Sequence, residues 1–196
     1  MTKKLILGSS SKPRYEQLKQ LGIPFEAIAP DIDETQLPNE TPRDLVLRLA
    51  ESKAKAVGLK AQNHLIIGCD QVMTLGNQVF GKPLSHDNAI KQLSMVSGKK
   101  VIFYNGLCLH DSQSNQTNSQ VITTMIAFKK LDPKTIQTYV ELDQPLHCAG
   151  SIKVESKGLF LIDDIESQDP FAVIGLPVFS LVKMLCKANF IWHKIK

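Results

Sequence analysis

The sequence predicts an α/β chain built on a mixed central β-sheet flanked by helices. Three observations carry that expectation. Apolar runs of strand length alternate with segments of helical periodicity, without repeats. Residues 64–69 (HLIIGC) form a continuous apolar run, as in a strand covered on both faces. Gly76-Asn77 between two short apolar segments marks a hairpin, so part of the sheet is antiparallel. At 196 residues, 43% hydrophobic and 21% charged, the chain lies in the globular range and can bury a sizeable core. No domain boundary stands out, so residues 1–196 read as a single domain.

Taken in order, residues 5–8 form a short buried strand running into Ser9-Ser10-Ser11. Pro13 suits a first helical position and Gly22 a helix stop, which predicts a helix between them. Residues 25–29 read as a second strand, closed by Pro30. Leu45, Val46, Leu49, Ala50, Lys53, Ala54 and Val57 recur at helical spacing. Thr41 with Asp44 three residues on gives a capping-box-like start at Pro42. The strand over 64–69 is expected to end at Asp70, and the hairpin joins 72–75 to 79–80. Ser85 caps a helix running to Val96, with Gly98 beyond its end. Two strands follow, 101–110 and 121–128, joined by the polar loop 111–119. Asp132-Pro133 opens a helix to about Leu142, and Leu176-Pro177 opens the last one. Phe171, Val173, Ile174, Leu176, Val178 and Leu181 are expected in the core.

The formal charge is +4, from 23 basic and 19 acidic residues. Lys3, Lys4, Lys183, Lys187, Lys194 and Lys196 sit at the two ends; 23 less these six leaves 17 basic against 19 acidic residues. The basicity is terminal, and no stable nucleic-acid partner is expected. Cys69, Cys108, Cys148 and Cys186 are widely spread, against a zinc site or a disulfide framework. The apolar run of residues 5–7 is too short for a signal peptide, and Pro177 and Lys183 interrupt the most apolar stretch. A soluble cytoplasmic protein with no membrane association is the simplest expectation. Trp192 reads as a packing or dimer contact.

Ligands of open α/β sheets bind beyond the carboxyl ends of strands, and two points of this sequence fit. In Leu7-Gly8-Ser9-Ser10-Ser11-Lys12-Pro13-Arg14, helix N-terminal N–H groups, serine hydroxyls and Arg14 suit phosphate oxygens. Read alone, three serines before a helix are more often a cap. Neither a dinucleotide fingerprint nor a Walker loop is present. At the second point, Asp70 after a buried strand suits Mg²⁺ binding or proton acceptance from water, although a turn aspartate is the commoner case. Lys82, held between Gly81 and Pro83, suits a phosphate contact or a solvated loop. Asp31, Asp33 and Glu34 form a metal site or an exposed acidic loop. Lys53 lies on the inner edge of its helix, where a solvent-facing lysine is the default.

Eight motifs then occur in order between residues 5 and 185. They are Ser9-x-Ser11-x-x-Arg14, Asp33-Glu34-Thr35, Leu49-Ala50-x-x-Lys53-Ala54, Gly68-x-Asp70, Gly81-Lys82-Pro83, Leu93-x-x-x-Ser97-Gly98, Ala149-Gly150 and Val173-Ile174-Gly175-Leu176-Pro177. The set resembles the Maf family of nucleoside triphosphate pyrophosphatases. Residues 45–50, 64–72 and 145–151 are most similar to its 7-methyl-GTP pyrophosphatase branch.

The resemblance implies hydrolysis between the α- and β-phosphates, a divalent cation (Mg or Mn), and a two-lobed Maf/ITPase-like α/β fold with a deep nucleotide-binding cleft. A homodimer is a further implication. Asp70 would accept the proton from water, with Glu34 assisting and both carboxylates serving the metal. Ser9, Ser11, Arg14, Lys53 and Lys82 would hold the triphosphate, an arrangement suited to in-line attack. Base selectivity would fall to Pro13, Gln71 and Glu155. N7-methylguanine is cationic, so Glu155 offers opposite charge, while Gln71 both donates and accepts. Pro13 departs from the branch, which typically has a tryptophan there; proline presents a smaller apolar face to a cationic base. Housecleaning of modified nucleotides is the role this implies. The same chemistry on dTTP, UTP or a deaminated purine is a second expectation. A non-catalytic nucleotide- or nucleic-acid-binding regulator of cell division is a third.

Overall fold

Every second residue of the central strands faces the same side, and that alternation organises the chain. A computed structural model describes residues 3–190; Trp192, Lys194 and Lys196 lie outside them. Among the described residues, strands β1 (Lys4–Gly8), β2 (Phe25–Ala27), β3 (His64–Leu75), β4 (Gln78–Phe80), β5 (Lys100–Asp111), β6 (Gln116–Phe128) and β7 (Ile162–Ser167) form one mixed sheet. Its order is β2-β1-β3-β5-β6-β7, with β4 paired to β3. β1 runs parallel to β2 and β3, whereas β3/β4 and β6/β7 are antiparallel. The helices are α1 (Lys12–Lys19), α2 (Pro42–Gly58), α3 (His86–Val96), α4 (Pro133–Asp143) and α5 (Val178–Lys187). The expected mixed α/β class holds.

The chain divides into two compact units. The first gathers residues up to Asp70, Asn105–Ile122 and the residues from Asp169 onward; the second gathers Gln71–Tyr104 and Thr123–Gln168. Each is assembled from separated pieces of sequence, so no linker marks the division.

In the first unit Leu5, Leu7, Leu65, Ile67, Cys69, Leu107 and Leu109 pack on one face of the sheet with Leu18 of α1 and Val178, Leu181 and Leu185 of α5. Ile6, Ile66 and Cys108 point the other way, onto Ala50, Ala54 and Val57 of α2. This is the two-sided burial expected of the apolar run in β3. A helix can lie this close because Gly68 has no side chain: a Cβ there would sit 2.0 Å from the Ala50 carbonyl oxygen. α2 begins as expected, its Thr41 side chain accepting from the Asp44 N–H. In the second unit α3 and α4 contact one another. Ser85 and Asp132 cap them through the N–H groups of Asn88, and of Lys134 and Thr135.

Several expectations are corrected. β3 does not stop at Asp70 but continues to Leu75, because β4 pairs with Met73–Leu75 where the parallel neighbour β1 has ended. Ser11 precedes α1 without a side-chain cap bond, and the helix ends at Lys19 rather than at Gly22. The loop after β5 is shorter than 111–119, since β6 already begins at Gln116. Phe171 is 43% exposed rather than in the core, while Val173, Leu176, Val178 and Leu181 are buried. β7 was not anticipated. Its IDDIES sequence has the composition of a loop, and pairing with β6 at the sheet edge makes it a strand.

Candidate active site

The period-2 alternation of β3 decides which way each residue near the end of β1 faces. Gly8 pairs with Gly68, the last register pair of the two strands. Two residues on, Asp70 shares the face of Ile66 and Gly68, the face covered by α2. Lys53 lies within the otherwise apolar buried stripe of α2. Its Nζ reaches Asp70 Oδ1 at 2.6 Å and Glu34 Oε1 at 3.0 Å. Lys53 is only 5% exposed and Asp70 7%. A buried ammonium is tolerated here because two carboxylates neutralise it. Two carboxylates 36 positions apart in sequence are thus gathered around one nitrogen.

Cys69 faces the opposite side. It packs as a small buried hydrophobe, its Sγ donating to the Gly175 carbonyl at 3.1 Å. Burial pushes its thiol upward, consistent with a structural role. The Cys69 carbonyl accepts from an Arg14 terminal nitrogen at 2.7 Å, and Arg14 Nε donates to the Gly175 carbonyl at 3.0 Å. Arg14 therefore spends two of its five N–H bonds on fixing its own position. Gly175 adopts φ 138°, a conformation that side chains resist. Ser9 is buried and its Oγ accepts the Ser11 N–H at 3.2 Å, shaping the loop that ends in Pro13 and Arg14.

Sequence reading missed Gln17. This buried amide donates to the Phe171 and Leu176 carbonyls and accepts the Leu176 N–H at 2.9 Å. It thereby ties α1 to the segment bearing Gly175. The sign of it in the sequence was a glutamine beside Leu18 on the inner face of a short helix.

The second unit carries Gln71, Lys82 and Glu155. Gln71 follows Asp70 directly in β3 and is part-buried. Lys82 is exposed on a pinned loop: the Gly81 carbonyl accepts the Gly150 N–H at 3.2 Å, and the Leu84 N–H donates to the Leu146 carbonyl at 3.0 Å. Gly150 has φ 67°, and a Cβ there would sit 2.3 Å from Met73 Sδ. Glu155 stands at the surface, yet the protein packed around it pushes its carboxyl above the ordinary 4.5, with Asp143 adding to the effect. Tyr139 and Asp143 of α4, also missed from sequence, hold this segment. Tyr139 Oη accepts the Lys153 N–H at 2.9 Å, and Asp143 Oδ1 accepts from Ser156 Oγ at 2.7 Å. Burial pushes the Cys148 thiol up to about 11, with Glu155 raising it and Lys82 lowering it. His147 is exposed.

Among the described residues, no group of three or more His, Cys, Asp or Glu gathers as a metal site. Asp31 and Asp33 are exposed, and Asp33 caps Thr35, which also holds its carboxyl below the ordinary value. Asp70 and Glu34 are nonetheless two hard oxygen donors already converging on one cation. That donor set fits Mg²⁺ or Mn²⁺, which take one or two carboxylates and fill the remaining positions with water and phosphate oxygens.

A family model described as Maf-like protein matches residues 4–188. The chain belongs to the Maf family. A 7-methyl-GTP pyrophosphatase from Nitrosococcus oceani is 46% identical to this Maf chain over 186 residues, covering 95% of this chain and 94% of its own length. One of the same name from Nitrosospira multiformis is 45% identical, covering 94% and 93%. A solved nucleoside-triphosphatase (dITP/XTP pyrophosphatase) from Mycobacterium abscessus aligns over 65% of this chain and 75% of its own, with a TM-score of 0.42 and 14% identity. No helix of the described Maf residues is long and apolar enough to cross a membrane.

Proposed function

We propose that this Maf-family protein is a nucleotide pyrophosphatase that hydrolyses 7-methyl-GTP to 7-methyl-GMP and pyrophosphate. The observation that carries the chemistry is the convergence of Asp70 and Glu34 on the buried Lys53 ammonium, just beyond the end of β1. Likeness at 45–46% identity, over nearly the whole chain, to relatives named 7-methyl-GTP pyrophosphatase supports the substrate.

Lys53 engages Asp70 Oδ1, so Oδ2 is the oxygen left to take a proton from the attacking water. Lys53 also retains one N–H bond for a phosphate oxygen, since two of its three are directed at carboxylates. Arg14, already fixed by two carbonyls, presents its free N–H groups to the triphosphate, together with Ser9 and Ser11. Lys82 adds a further cation on a pinned loop. Asp70 and Glu34 would hold a divalent metal, which supplies charge neutralisation on the phosphates and the leaving pyrophosphate. Gln71 and Glu155 read the base, Glu155 by opposing the positive charge of the methylated ring.

A second reading, the same cleavage with an unmethylated base preferred, is favoured by Pro13. It occupies the position of an expected aromatic and gives a cationic ring less to stack on. A substrate panel with Mg²⁺ or Mn²⁺, detecting pyrophosphate and phosphate separately, decides between them. Pyrophosphate released fastest from 7-methyl-GTP supports the proposal. A clear preference for dTTP, UTP, GTP or a deaminated purine supports the second reading. No pyrophosphate from any of these excludes both and returns a binding-only regulator.

A further inference from the structure

Glu34 lies on residues 28–41, a stretch between β2 and α2 without regular secondary structure. Most of its side chains are exposed, and Leu37, its bulkiest apolar residue after Ile28 and Ile32, is 52% exposed. A segment with so little apolar burial has low local stability. Glu34 Oε1 nevertheless stands 3.0 Å from Lys53 Nζ, so something other than packing sets its position.

Arg48 supplies that restraint. It projects from α2 five residues before Lys53 and grips the segment at both ends of a turn. Its Nε and one terminal nitrogen donate to the two carboxylate oxygens of Glu40 at 2.5 and 2.8 Å. The same terminal nitrogen donates to the carbonyl of Thr35, the residue after Glu34, at 3.0 Å. Glu40 in turn accepts the Leu37 N–H at 3.0 Å, and its carbonyl accepts from the Gln36 side chain at 2.8 Å. The Glu40 side chain is 7% exposed and that of Arg48 29%, so the pair lies partly open to water, and its two-pronged geometry is what sets it apart from a simple surface ion pair.

We infer that Arg48 and Glu40 form a latch that positions Glu34 against Lys53, and that Arg48 serves the reaction through Glu34. Arg48 is a positioning residue, and the fork matters more than the charge: lysine cannot grip both Glu40 oxygens and the Thr35 carbonyl. The kinetic part of this inference rests on the pyrophosphatase reading above; the positional part does not.

Two measurements on the full chain test it. The first is a double-mutant cycle on kcat for pyrophosphate release, using R48K, E34Q and the double variant. R48K should lower kcat about tenfold to a hundredfold, as misplacement of a reacting group does. In the E34Q background it should change the rate less than twofold. Equal losses in both backgrounds overturn the inference. The second is amide hydrogen exchange in nucleotide-free R48K. Exchange should quicken across residues 31–40, Leu37 above all, while β1 and β3 stay protected. Unchanged exchange there overturns the latch, and exchange decides alone if E34Q leaves no measurable rate. If the native protein hydrolyses no nucleotide, the proposed function fails while the exchange result still stands or falls by itself.

Discussion

Lys53 is the residue on which the candidate site turns. In a helix whose inner face is otherwise Leu, Val and Ala, a lysine at that spacing is unfavourable unless it meets opposite charge, and Asp70 and Glu34 provide it. The same contact orients Asp70, leaving one carboxylate oxygen directed by the bond the other makes. Asp70→Asn keeps the size and hydrogen-bonding reach of the side chain but removes its basicity. It should lower kcat by about 10²–10⁴, with nucleotide affinity changed only a few-fold in equilibrium titration. A variant that loses binding and turnover together would instead make Asp70 a binding residue.

At the scale of elements, the close seat of α2 on β3 is what brings Lys53 to Asp70. Gly68→Ala places a methyl group 2.0 Å from the Ala50 carbonyl oxygen, and the backbone of α2 has to move. The variant should lose about 1–3 kcal/mol of stability, read from denaturant midpoints, and should lose activity even where it remains folded. The end of the same helix meets His110 of β5, where a Cβ on Gly58 would lie 2.9 Å from the imidazole. Burial lowers the His110 pKa below 6.5, and nearby Lys55 adds to it. The folded state therefore resists a proton that the unfolded chain accepts. Its contribution to stability is present above about pH 6.5 and is lost as pH falls through the lowered folded value. Denaturation midpoints should fall on acidification across that range, and His110→Asn should flatten the dependence.

Elements with strong local signals were legible in the sequence, and those made by pairing were not. The Thr41, Ser85 and Asp132 caps and the Gly76-Asn77 turn all stand where the residues indicated, because each depends on neighbours within four positions. The continuation of β3 past Asp70 and the existence of β7 depend on partners supplied by β4 and β6, far from any local pattern. Arg48, Gln17, Tyr139 and Asp143 escaped notice for a related reason. Their bonds run to backbone or side chains 8 to 159 positions away, and only Gln17, beside Leu18 on the inner face of a short helix, carries a local sign of its role.

Across the whole molecule, the candidate residues divide between the two units. Ser9, Ser11, Arg14, Glu34, Lys53 and Asp70 belong to the first, and Gln71, Lys82 and Glu155 to the second, with the boundary falling between Asp70 and Gln71. The residues proposed to act on the phosphates thus lie mainly in one unit, and the two proposed to read the base lie in the other. Glu155→Gln should reduce the kcat/KM preference for 7-methyl-GTP over GTP, by about 10-fold if the loss is about 1.4 kcal/mol of charge recognition, and leave GTP turnover within twofold. Equal effects on both substrates would remove Glu155 from base recognition.

The net charge carries less meaning at this scale than its placement. Lys3 at the N-terminal end pairs with Asp111, and Lys183 lies over the Phe179 ring at 4.1 Å. Two of the terminal lysines thus have partners within the fold. By itself the sequence determined the α/β class, the helix starts, the buried strand and the candidate residues, because periodicity, caps and ordered motifs are local. Only the tertiary structure decided that Asp70 lies within a strand, that Lys53 is shared by two carboxylates, and that Arg48 donates to Glu40 and to the Thr35 carbonyl. Those facts come from the pleat of β3 and the close approach of α2, which bring distant residues within hydrogen-bond reach.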